Sequence, residues 1–385
     1  MLQRLAYGRI PEKHHTVLRD DEGRLLYEEC ITRDGFEGPY TLLYHRARPQ
    51  AVHEGTASEA APALSGHIPD KLARRHYRSL STPAGKGPFA SRLPLLFNDD
   101  LVIGVAQPTA ADQTYVSNGD GDELIFVFEG AGIVRSILGD LRYEKNDYLL
   151  LPRGIIYRMV PDEGVPQRWF TMEFRRGVGI PSQWRTPVGQ LRMDAPYCHR
   201  DFRVPEFKGP MDEGIRGLTV KKSDRFHAFK FDGPPLDVIG WDGGVYPIAF
   251  PILKFQPRVG LVHLPPTWHG TFAGSGALVC SFVPRPVDFH PQAIPCPYPH
   301  SNVDVDEVIF YCSGNFTSRR GVGPGSVSFH PAGVAHGPHP QAYEKSIGAK
   351  STEELAVMLD CYKPLKPTEY ALAVEDPAYQ ESFGD

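Results

Sequence analysis

Apolar positions along this chain come in short bursts and not in long helical periods. GRLLYEECI, GPYTLLYH, ELIFVFEG, NDYLLLP, GALVCSF, VIFYCSG and SVSFH are examples, and Gly, Pro, Asn or Asp punctuate the stretches between them. Runs of this length, rich in β-branched and aromatic residues, predict short antiparallel strands joined by tight turns. Such strands close into small barrels with alternate side chains pointing inward. The 38 Gly and 37 Pro fit many turns and few long helices.

One frame occurs twice. NGDGDELIFVFEGAG separates Glu123 from Gly130 by six residues, and the same interval separates Glu307 from Gly314. NDYLLLPRGIIYRM then gives Pro152, Gly154 and Tyr157, matched later by Pro331, Gly333 and His336. A repeated frame predicts two barrels, and with them an all-β, jelly-roll-like architecture. The expected divisions are an N-terminal arm with strands over 1–95, a first barrel over 96–175, a connector over 176–235, a second barrel over 236–365 and a surface tail over 366–385. Within the arm, Ala47 to Leu93 is rich in Ala, Pro, Gly and Ser and holds the basic run Lys71 to Arg78; it reads as a flexible arm or long connection.

The chemistry is concentrated in the second copy. Six residues separate His300 from Glu307, and the turn through Pro331 and Gly333 delivers His336. Two imidazoles and one carboxylate from neighbouring strands can hold one face of an octahedral metal and leave the other positions open, as non-haem Fe(II) oxygenases require. In the first copy the places of the two histidines fall on Val116 and Tyr157, so that barrel is expected to be metal-free.

This two-part pattern is the signature of the cupin superfamily. The runs YPHSNVDVDEV, HPAGVAHGPHP and YEKSIGAKSTEELAVMLD resemble the homogentisate 1,2-dioxygenase family, its bacterial members especially, strongly over the last half of the chain and loosely over the first. The resemblance implies Fe(II) held by His300, Glu307 and His336, with dioxygen and a small aromatic acid as reactants. It also implies opening of homogentisate to maleylacetoacetate in tyrosine and phenylalanine catabolism, by a homo-oligomer that is a trimer or a dimer of trimers. It places His330 against substrate, where it either handles a ring-hydroxyl proton or orients a metal ligand. Tyr298 matches a substrate-side tyrosine.

Two departures from the family stand out. Phe316 occupies the place of a tyrosine that serves the substrate acid, and the family's base histidine falls near Gln256 or Pro257. His263 and His269 are close in sequence and compete with His330 as the general base. Arg319 or Arg320 is a candidate carboxylate clamp. The departures keep open another hydroquinone or aromatic acid as substrate, and a metal-binding cupin of different activity as the broader alternative.

Composition narrows the partners. Charged residues make up 23% of the chain, both signs are interspersed and the net charge is −5, which implies neither nucleic acid nor an anionic membrane. No apolar run approaches the roughly 20 residues of a membrane span, and no secretory signal is visible at the start. Six cysteines without a CxxC pair read as buried small apolar residues in a reducing cytoplasm. GVGPG at 321–325 predicts a hairpin turn, and Ser351 to Glu354 has the form of a capping box that opens a short helix or turn.

Overall fold

The structure, a computed structural model, describes residues 2–60, 64–66, 70–214, 216–314, 316 and 321–383, with the backbone alone over 52–60. Three seven-stranded sheets carry the two barrels, and the two α-helices among the described residues, Ala342–Ser346 and Glu369–Ala373, are each five residues long. The fold is an all-β bicupin.

The first barrel encloses its core between two of these sheets. One runs Ile248–Pro251, Asp147–Leu151, Asp122–Glu129, Arg168–Phe174, Leu101–Ala106, Arg92–Phe97 and Lys366–Pro367; the other includes Gly132–Ser136, Tyr157–Pro161, Tyr115–Asn118 and Leu218–Lys222. The third sheet, of the second barrel, runs Val178–Gly179, Gly270–Gly274, Ala277–Phe282, Leu355–Cys361, Asp306–Ser313, Ser326–His330 and Arg75–Arg78.

Side-chain alternation on two strands explains both the packing of the barrels and the aim of the two glutamates. Along Asp122–Glu129, Leu124, Phe126 and Phe128 join the large shared core, while Ile125 and Val127 point into the first barrel. Along Asp306–Ser313, Val308, Phe310 and Cys312 join the shared core, while Ile309 and Tyr311 belong to a separate cluster. The period of two then carries Glu123 to the side of Ile125, and Glu307 to the side of Ile309. Phe310 stacks on Phe170 at 4.8 Å and meets Phe128 edge-on at 5.4 Å, which welds the barrels back to back. Both faces of these strands are buried, which is why they read as continuous apolar runs.

The strands are where the apolar bursts place them, but their partners cross the expected boundaries. Val238–Gly243 pairs with the N-terminal strands Tyr40–His45 and Leu5–Gly8, and Ile248–Pro251 pairs with Asp147–Leu150 of the first barrel. A second barrel starting near Leu236 therefore does not describe the pairing. The arm is built in as well: Val52–Ala60 pairs with Arg225–Phe231, and Arg75–Arg78 adds to Ser326–His330 beside the candidate site. Each addition covers an edge that would otherwise expose unpaired backbone.

Three local expectations change. Ser351 to Glu354 caps no helix: Ser351–Thr352 pairs with Arg285–Pro286, and LAVMLD is a strand between Ala277–Phe282 and Asp306–Ser313, buried on both faces. Residues 366–383, the described part of the expected surface tail, pack into the fold. Thr368 is fully buried and caps Glu369–Ala373 by accepting from the Ala371 amide, and Tyr379 is only 2% exposed. Cys280, Cys296, Cys312 and Cys361 are buried as expected, whereas Cys30 is exposed and Cys198 half-buried. The GVGPG segment links the antiparallel strands Asp306–Ser313 and Ser326–His330. No helix among the described residues is long and apolar enough to cross a membrane.

Candidate metal centre

Backbone pairing brings His300 and His336 together. Each amide donates to the other's carbonyl at 2.8 Å, and the turn before His336 places Gly333 at φ +79°, a conformation that favours glycine. The first barrel uses the same device, with Gly154 at φ +83° before Tyr157 and Tyr157 paired with Val116. Glu307 reaches the two imidazoles from the neighbouring strand, its carboxylate 3.7 Å from His300 Nε2 and 3.5 Å from His336 Nε2. One donor atom from each of the three residues lies within 4.8 Å of the others.

The donor chemistry fits a divalent cation. His336 Nδ1 lies 3.0 Å from the Val334 carbonyl, to which it donates in the neutral tautomer; this leaves a lone pair on Nε2. That Nε2 is buried and has no hydrogen-bond partner among the described residues. Burial alone would raise the pKa of Glu307, but the imidazoles of His300, His330 and His336 gathered around its carboxylate outweigh it and hold the carboxyl well below its usual range. Two imidazoles and an ionised carboxylate form the facial set that suits Fe(II) and related ions.

His330 stands directly opposite Glu307 in the strand register. Its Nδ1 is 2.7 Å from Glu307 Oε1, its Nε2 is 3.1 Å from the Tyr379 hydroxyl, and its ring stacks on His336 at 4.5 Å. It has no exposed surface and is not among the residues lining the adjoining cavity, so it holds the carboxylate from behind.

That cavity has a volume of about 510 Å³ and is lined by His300, Glu307, His263, His269, Arg285, Ile309, Tyr311 and Lys345, among others. Burial depresses His269 to a pKa of about 3, and its Nδ1 has no hydrogen-bond partner among the described residues. Burial also lowers His263, helped by Arg285 and His300 and opposed by Asp288. Tyr298 is half-exposed and does not line the cavity; its ring meets His263 edge-on at 4.9 Å. Phe316 is buried against Tyr311 at 5.0 Å and has no polar atom to offer a ligand. Gln256 is exposed, with its amide donating to the Pro196 carbonyl, and neither it nor Pro257 lines the cavity. His339 is buried against Ser382, and His290 Nδ1 accepts from the Gln292 amide. Arg319 and Arg320 lie outside the described residues.

The corresponding place in the first barrel is already filled. Glu123 is ion-paired with Arg92, accepts from the Tyr157 hydroxyl at 2.5 Å and accepts from Asn118 at 3.2 Å. The sequence frame located Glu123 and the missing imidazoles but not Arg92, which arrives from another strand. It likewise gave no sign of Tyr379 or Arg285, whose roles arise from strand pairing and from the folded C-terminal segment.

Fold and site together define a two-barrel cupin with, among the described residues, one cluster of two histidines and a carboxylate. The family model "Homogentisate 1,2-dioxygenase N-terminal" matches residues 101–252. The "Putative dioxygenase" of Saccharolobus solfataricus is 35% identical over 380 residues, covering 98% of this chain and 97% of that protein. Homogentisate 1,2-dioxygenase of Emericella nidulans is 25% identical, covering 89% of this chain and 81% of that protein, and that of Rhizobium rhizogenes is 26% identical, covering 96% and 87%. The chain belongs to the homogentisate dioxygenase-like family of cupins. Among solved structures, the cupin 2 conserved barrel domain protein from Leptotrichia buccalis overlaps 79% of this chain and 100% of its own, at 9% identity and a TM-score of 0.35; this adds nothing to the strand order described above.

Proposed function

We propose that this protein is an Fe(II)-dependent dioxygenase that opens a 2,5-dihydroxyphenyl ring, with homogentisate as substrate and maleylacetoacetate as product. The observation that carries the reading is the orphaned Nε2 of His336, clustered with donor atoms of His300 and ionised Glu307, both of which line a cavity large enough for an aromatic acid. His300, Glu307 and His336 would hold the metal. When bound, Fe(II) supplies a common site for substrate oxygen and dioxygen and a path for charge between them.

The chain's own residues do the rest. His330 and Tyr379 fix the Glu307 carboxylate, so His330 acts as a positioning residue and not as the base. His263 faces the cavity, makes no hydrogen bond among the described residues and is lowered below 6.5, so it is neutral near pH 7 and can accept the proton of a ring hydroxyl. Tyr298 backs His263 from the rim. A cytoplasmic homo-oligomer, a trimer or a dimer of trimers, completes the reading.

Phe316 favours a second reading in which another hydroquinone or aromatic acid is the substrate, since it cannot donate to the homogentisate carboxylate. Anaerobic loading with Fe(II), followed by oxygen-uptake assays on homogentisate, gentisate and hydroquinone, separates the two. Fastest uptake on homogentisate supports the first reading and fastest uptake on another of the three supports the second. No uptake on any sinks both.

A further inference from the structure

The cavity wall holds a guanidinium with no carboxylate in direct contact among the described residues. Arg285 lies in the two-residue strand Arg285–Pro286, whose pairing with Ser351–Thr352 sets it beside the cavity that His300 and Glu307 also line. Its side chain makes one hydrogen bond among the described residues, from Nη1 to the Val283 carbonyl at 3.0 Å, and its guanidinium carbon lies 5.7 Å from the centre of the Phe282 ring. No carboxylate among the described residues comes within 4 Å of it. Glu354 and Asp288 act on the guanidinium through space and not as direct ion pairs.

A guanidinium has five donors in a rigid fork and keeps its charge at neutral pH. Holding that charge among Phe282, Val287 and Leu264 with a single acceptor costs free energy, which an incoming anion would offset. The nearby His263 and His269 are both pushed toward the neutral form by burial and compete poorly for an anion. Lys345 also lines the cavity, but as a point charge; of the two cations on this wall, the fork of Arg285 is the one that matches a planar carboxylate.

We propose that Arg285 binds the carboxylate of the aromatic substrate fork to fork, and so sets a preference for ring acids over neutral hydroquinones. The inference rests on the ring-cleaving reading of the same site. It assigns the acid-recognition role to a residue outside the repeated frame, on a different strand from the three candidate ligands.

The test compares the full-length Fe(II)-loaded protein with Arg285→Met and Arg285→Lys. Oxygen uptake gives kcat/KM on homogentisate and on neutral methylhydroquinone, and calorimetry gives the affinity for phenylacetate against 2-phenylethanol, neither of which has a ring hydroxyl. Loss of a charge-assisted bidentate pair should lower the acid-to-neutral kcat/KM ratio by about 10- to 100-fold in Arg285→Met and by less in Arg285→Lys. An unchanged ratio, or equal losses on both substrates, overturns the proposal and means that Arg285 is satisfied within the protein. If the wild type consumes no oxygen on either substrate, the ring-cleaving reading fails on its own. The binding arm still decides Arg285: a wild-type preference for phenylacetate that Arg285→Met abolishes supports it, and no such preference overturns it. Should Arg285→Met not fold, the conservative lysine variant carries the comparison, and unchanged phenylacetate affinity there overturns the proposal.

Discussion

Glu123 and Glu307 hold matching positions in the two barrels and have opposite surroundings. Glu123 faces Leu151 and Glu173 in the strand register, and Glu307 faces His330 and Asp360. In the first barrel the protein supplies the neutralising cations: Arg92 pairs with Glu123, while Lys221 at 2.6 Å and Arg175 at 3.1 Å pair with Glu173. In the second barrel no Lys or Arg lies within 4 Å of Glu307 or Asp360 among the described residues, and one buried oxygen of Asp360 has no partner. A buried carboxylate beside a half-buried one, with no lysine or arginine near, is costly unless a cation offsets the charge. The barrels thus share a frame, and among the described residues the first alone gives these acids Lys or Arg partners.

The sharpest break in this comparison is removal of a donor. His336→Ala or Glu307→Ala should cut Fe(II) affinity by more than about 100-fold, beyond what loss of an outer partner costs. Metal analysis after anaerobic loading should find one iron per wild-type chain and essentially none in either variant. Two irons per chain would place metal in the first barrel and end the contrast. Next in size, Arg92→Met strands Glu123 in the core and should destabilise the chain by about 3–5 kcal/mol without changing its iron content, as read by denaturant unfolding and metal analysis. Iron loss in that variant would mean that the first barrel holds the metal.

His330→Phe removes the partner at Glu307 Oε1 and should weaken Fe(II) binding by about 10- to 100-fold. Competition with a chelator of known affinity measures this, and unchanged affinity would show that the hydrogen bond is idle. Asp360 gives a dependence on pH. Burial first, and then the charge of Glu307, raise its carboxyl from 3.8 to about 6. The folded chain therefore binds more protons than the unfolded one between these values, and this group's contribution to stability falls as pH rises through the window. In the metal-free protein Asp360→Asn should be more stable than wild type by about 1–3 kcal/mol at pH 7–8, with the advantage vanishing near pH 4. Thermal unfolding across that range checks it, and an advantage that grows toward acid would contradict the assigned direction. Smallest of all, Tyr379→Phe leaves the ring stack in place and removes one hydrogen bond to His330, which should cost about 1 kcal/mol of Fe(II) binding, or roughly fivefold in the same competition assay.

Much of this was legible in the residues themselves. The apolar bursts gave the strands, since period-two burial is a local property of a pleated chain. The frame around Glu123 and Glu307 showed the repeat, and the sequence positions of Val116 and Tyr157 showed that imidazoles were missing from the first copy. LAVMLD misled because a strand buried on both faces and a short helix look alike in a run of that length. The C-terminal segment misled because its charged residues read as surface, while Thr368 and Tyr379 turn inward.

By itself, then, the sequence determined the all-β class and the doubled frame with its candidate donors, because strand period and the interval between glutamate, turn and histidine are local properties of the chain. Tertiary structure alone decided that Arg92 fills the first site, that Tyr379 secures His330 and that Arg285 stands in the cavity wall. Those contacts join residues far apart in the chain, and strand pairing across the two barrels, which no local pattern encodes, is what brings them together.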